Sequence, residues 1–141
     1  MTLERAKYIV LAASVLSAGA MSCSFILLGV QVAEGGVFSP LVSLPLFLWG
    51  EVGLFWGGFC GWFWGHKLFL KLEQSRTFKD GPRYGLFAGL MIGTVNAALT
   101  GTMPFGFVLG LFLGPVLGLL VAVLGMNVLP DQCAERDRHG V

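Results

Sequence analysis

Apolar residues fall into four long runs, at about 8–30, 44–70, 84–102 and 104–127, with polar or charged segments between them. Each run is near the roughly 20 residues that a helix needs to cross about 30 Å of hydrocarbon. None has the polar face that an amphipathic helix shows to water, and a helix apolar all round belongs in a core or a membrane. The pattern predicts an all-α, polytopic membrane protein with four transmembrane helices arranged as two antiparallel hairpins. The connection at 31–43 is polar and glycine-containing, whereas the one at 101–104 is short enough to demand a tight turn. A single domain is expected over 1–141, with 128–141 as a polar tail.

A second period lies inside these runs. Gly53, Gly57, Gly61 and Gly65 recur at every fourth position of the second run, and Gly85, Gly89 and Gly93, continued by Ala97 and Gly101, do so in the third. The fourth run carries Gly106, Gly110, Gly114 and Gly118, then Ala122; the first has a milder row, Ser14, Ala18 and Ser22. In water each such glycine costs about 1 kcal/mol of helix stability relative to Ala. Between membrane helices, association relies on close van der Waals contact over small residues. The rows are therefore expected to be helix-packing surfaces, with Phe55, Trp56, Phe59 and Phe63 projecting elsewhere, toward lipid or a partner protein. Trp49 and Trp64 read as interfacial belt residues. Pro115 removes the hydrogen bond to the carbonyl of Leu111 and is expected to bend the fourth helix.

Composition agrees with a bilayer. The chain is 55% hydrophobic and 12% charged, and its mean hydropathy is +0.78, outside the range of ordinary soluble domains. Net charge is +1, which favours no polyanionic partner, and with no nucleic-acid motif present none is expected. Charge placement says more than the total. The 9 basic residues cluster as Arg5 and Lys7; Lys67, Lys71, Arg76, Lys79 and Arg83; and Arg136 and Arg138. Short loops rich in Lys and Arg stay cytoplasmic, so both termini and the 71–83 loop are expected inside, in a plasma membrane of the bacterial inner-membrane kind, after an even number of crossings. The 71–83 loop also offers weak attraction for anionic lipid headgroups. Arg5, Lys7 and Ala18-Gly19-Ala20 imitate a secretory leader. The apolar run continues through Phe25, Ile26, Leu27 and Leu28, further than a leader needs, so an uncleaved first helix is expected.

Chemistry-bearing residues are few. Cys23, Cys60 and Cys133 are spread along the chain, and neither a disulfide nor a metal site is expected. His66 and His139 do not form a haem pair inside the membrane, and no cofactor is expected. Glu51 is the one acidic residue within an apolar run. A charge near the membrane centre costs at least about 2.5–3.5 kcal/mol, so such a residue marks a functional site when deep and a solvated interfacial group when shallow. Ser22, Ser24, Asn96 and Thr100 should lie at the same height, and a hydrogen-bonded cluster of Glu51, Asn96 and Ser24 is the sharper expectation. The polar inventory is too thin for an acid, a base and a binding site together. The leading expectation is a non-enzymatic protein acting through helix packing, with the lipid bilayer and other membrane subunits or copies of itself as partners. The alternative is a small transporter or channel that uses Glu51 as a proton or cation site.

Overall fold

The computed structural model describes residues 2–34, 46–101 and 103–129. Among these residues the chain is all-helical, with α1 over Leu3–Glu34, α2 over Leu46–Ser75, α3 over Gly81–Thr100 and α4 over Met103–Val128. Two helices are long and apolar enough to cross a membrane: α1 through Leu3–Gly29, 27 residues, and α4 through Pro104–Val128, 25 residues. The other two are diluted. α2 is studded with Gly and Trp, which add little hydropathy, and α3 spans 20 residues that include Arg83, Thr94 and Asn96.

Helix boundaries depart from the edges of the apolar runs, because backbone hydrogen bonding does not stop where hydrocarbon would. α1 starts at Leu3, since Glu4, Arg5, Ala6 and Lys7 are good helix formers, and it continues to Glu34 into the expected 31–43 loop. Similarly, α2 runs on to Ser75 and α3 starts at Gly81, with Pro82 in its first turn, where its missing N–H is no loss. The expected 71–83 loop thus shrinks to a short link containing a 3-10 turn, Phe78–Asp80. The tight turn at 101 is present: Gly101 adopts φ 74°, its N–H bonds the carbonyl of Ala97, and α4 begins at Met103. Pro115 sits inside α4, which continues through it. Most of the 128–141 tail, with Cys133 and His139, lies outside the described residues.

Packing within each hairpin is backbone on backbone. A methyl group placed on Gly57 would lie 2.5 Å from Cβ of Ser22 and 2.8 Å from Cα of Gly19; on Gly61 it would lie 2.9 Å from Cβ of Ala18, and on Gly65 2.5 Å from Cβ of Ser14. One on Gly53 would lie 2.9 Å from Cα of Cys23. The second hairpin is built alike. Methyl groups on Gly85 and Gly89 would lie 2.7 Å from Cα of Gly118 and of Gly114, one on Gly93 3.4 Å from Cα of Gly110, and one on Gly106 2.5 Å from Cβ of Ala97. The order of partners falls on one helix as it rises on the other, so both pairs are antiparallel.

Side chains pack mainly between the hairpins. Near the α2–α3 link, Ala6, Val10, Leu68, Phe69, Leu72, Val121 and Ala122 form one buried cluster. Ala18, Met21, Phe25, Cys60 and Ile92 form a second at mid-height, and Ile26 with Trp49 a third at the far end. Trp49 is 3% exposed, so it is a core residue rather than a belt residue. Trp64, fifteen residues further along α2, is half-buried against α3: its ring stacks on Phe87 at 5.3 Å and its indole N–H points to Sδ of Met91 at 3.3 Å. The outer surface is greasy, with Leu16, Phe55, Phe112, Val116 and Leu120 each more than half exposed.

Close approach makes a graded prediction. Gly89→Val forces β-branched bulk into the backbone of α4 and should destabilise the fold by about 1–3 kcal/mol in denaturant titrations of the detergent-solubilised protein. Gly58→Ala, where the nearest atom would be Val15 Cγ1 at 3.7 Å, should be near neutral.

Candidate functional site

The polar residues expected to converge are divided between two places. Asn96 is buried, 1% exposed, and its Nδ2 donates to Ser22 Oγ at 2.8 Å and to the Ser22 carbonyl at 3.0 Å. Thr100 Oγ1 donates to the carbonyl of Asn96 at 2.9 Å one turn on. Ser24 is not part of this group. It is exposed, and its Oγ donates to Ala20 O at 2.8 Å. Positions 22 and 24 lie about 200° apart around a helix, so only one of them can face α3. Sequence reasoning placed both at the right height and could not choose the face.

Glu51 lies apart from both. It is exposed on α2, and no described residue bonds to it. The expected cluster of Glu51, Asn96 and Ser24 is thus replaced by an Asn96–Ser22 contact that ties the two hairpins together. Asn96 Oδ1 has no hydrogen-bond partner among the described residues, nor have the indole N–H groups of Trp49 and Trp56. A buried amide oxygen left unpaired is uncommon and costly.

Two spaces deserve chemical scrutiny. The first is a cavity of about 40 Å³ between the hairpins, bordered by Ser14, Ser17, Met21, Trp64, Tyr84 and Leu117. It has room for a water or two, yet its serine hydroxyls are already committed, Ser14 Oγ to Val10 O at 2.8 Å and Ser17 Oγ to Ser14 O at 3.2 Å. That leaves an apolar gap with little to offer a solute. The second is an open groove of about 560 Å³ between α2 and α3, lined by Glu51, Val52, Phe55, Trp56, Val95 and Leu99. One carboxylate stands there against two aromatic and three aliphatic side chains.

A different arrangement occupies α2 toward its C-terminal end. Trp56 and Phe59 stack at 5.9 Å, Phe59 and Phe63 at 6.5 Å, and the ammonium of Lys67 lies 4.4 Å from the Phe63 ring centroid and 5.0 Å from that of Trp64. Trp62 stacks on His66 at 6.5 Å. The result is an exposed aromatic ladder that ends on a cation. Among the described residues there is no group of three His, Cys, Asp or Glu side chains able to hold a metal ion.

Comparison of the chain with protein-family profiles, with curated proteins and with solved structures finds no match in any of the three.

The Asn96–Ser22 contact carries a measurable coupling. Asn96→Ala should destabilise the fold by about 0.5–1.5 kcal/mol, the net worth of a typical intramolecular hydrogen bond. In a double-mutant cycle with Ser22→Ala, read by denaturant titration, the two substitutions should be clearly non-additive.

Proposed function

We propose that this is a non-enzymatic protein of four membrane-spanning helices, packed through every-fourth-residue small-residue rows, that acts as an accessory or structural subunit of a membrane complex or as a homo-oligomer. The observation that carries this reading is the α2 aromatic ladder. The glycine rows of α2, α3 and α4 meet partners within the chain, whereas Phe55, Phe59 and Phe63 remain exposed along one helix. In this reading the small residues are consumed in building the bundle and the aromatics are what it presents to others.

The greasy perimeter supports the membrane setting, as do the lengths of α2 and α3. At 1.5 Å per residue their 30 and 20 residues reach about 45 and 30 Å, enough to cross hydrocarbon despite their diluted hydropathy. The clustering of Lys and Arg supports a bacterial inner-membrane topology with both termini and the α2–α3 link in the cytoplasm. Transport through Glu51 is the weaker reading, because the carboxylate borders an external groove and not the cavity between the hairpins.

Two measurements test the proposal. With the native cysteines replaced by serine, Ser75→Cys should react with a membrane-impermeant maleimide in inverted vesicles and not in intact cells; the reverse pattern overturns the topology. Native mass spectrometry from mild detergent should show an oligomer or a stoichiometric complex that the triple variant Phe55→Ala, Phe59→Ala, Phe63→Ala reduces to single chains without lowering its melting temperature. A wild-type chain that is monomeric and alone rejects the reading.

A further inference from the structure

The groove that contains Glu51 adjoins the exposed aromatic row of α2 and shares Phe55 with it. No Lys or Arg occurs between residues 8 and 66 or between 84 and 135. Along α2 the nearest basic residue is Lys67, sixteen positions and about 24 Å away along the helix axis, and its ammonium is already seated over Phe63 and Trp64. The other described basic residues, Arg5, Lys7, Lys71, Arg76, Lys79 and Arg83, sit toward the α2–α3 link, at the opposite end of the bundle. Among the described residues, therefore, no cation stands near Glu51 to act as its counter-charge.

The surroundings of the carboxylate define what kind of cation fits. Phe55 lies one helical turn from Glu51 and is 81% exposed, Trp56 is half-buried beside it, and Val52, Val95 and Leu99 complete an apolar lining with no second polar side chain. A single carboxylate with no other ligand is a poor site for a small metal ion, which needs several oxygen donors. Aromatic faces, by contrast, attract soft organic cations and add to the pull of the carboxylate. The groove's volume, about 560 Å³, falls in the range of small-molecule sites, roughly 300–1,000 Å³. A zwitterionic lipid headgroup fits less well, because its phosphate would bring a second negative charge close to Glu51.

We propose that the α2–α3 groove binds an amphipathic organic cation, whose positive centre is attached directly to a hydrophobic body, with Glu51 as its counter-ion and Phe55 and Trp56 as its aromatic walls. Every residue of the site belongs to one chain.

The test is equilibrium binding of tetraphenylphosphonium to the full chain in phosphatidylcholine nanodiscs, corrected for empty discs. The expected result is saturable binding of about one cation per chain. Affinity should fall by at least about tenfold in Glu51→Gln, equivalent to about 1.4 kcal/mol, and should survive in Glu51→Asp. Tetraphenylborate, the same shape with the opposite charge, should show no saturable binding. Circular dichroism melts establish that the variants fold, and Phe55→Leu, at a surface position, gives an independent loss of a few-fold through the aromatic wall. Absence of saturable binding to the wild-type chain, equal affinity in Glu51→Gln, or equal binding of the borate overturns the proposal.

Discussion

The rest of the structure depends on how closely two backbones approach when nothing larger than a hydrogen atom stands between them. In the α3–α4 hairpin Gly85 faces Gly118, Gly89 faces Gly114 and Gly93 faces the carbonyl of Gly106, each too near for a side chain. Sliding one helix by a residue would bring Leu86, Leu90 or Leu113 into that seam, where no space exists. Register is therefore fixed by exclusion rather than by attraction, because a larger side chain brought into the seam would meet backbone. α1 and α2 obey the same constraint through Ser14, Ala18 and Ser22 against Gly57, Gly61 and Gly65.

Once that register is set, the remaining faces have no freedom. Ile92, Asn96 and Thr100 each stand one residue, or about 100°, before a small residue of the row Gly93, Ala97 and Gly101, and all three are buried. Most hydroxyls in the bundle bond to a carbonyl one turn back on their own helix, as Ser14, Ser24 and Thr100 do. Asn96 has a side chain long enough to cross to α1, and it supplies the polar tie between hairpins that otherwise meet through apolar clusters. Glu51 lies outside this interior altogether, which separates the question of what holds the bundle together from the question of what its carboxylate meets.

Much of the architecture was legible in advance because its determinants are periodic. The four helical runs and the turn at Gly101 follow from spacing alone, whereas the facing of Ser14, Ala18 and Ser22 toward the α2 glycines came from the tertiary structure. Helix ends were less legible: α1 reaches Glu34 and α2 reaches Ser75 because helix-forming polar residues extend each helix past its apolar run. The aromatics misled in a consistent way. Trp49 and Trp64 resemble belt residues by position, yet both pack against neighbours contributed by other segments, Ile26 for one and Phe87 and Met91 for the other.

By itself the sequence determined the helical count among the described residues, the antiparallel pairing of sequential neighbours and the absence of a Lys or Arg near Glu51 along the chain, since each is a matter of local period or local composition. Only the tertiary structure decided that Ser22 and not Ser24 meets Asn96, and that Glu51 borders a groove shared with Val95 and Leu99. Those outcomes depend on the rotation of one hairpin against the other. That rotation is set by contacts between residues far apart in the chain, whose relative phase no single helix carries.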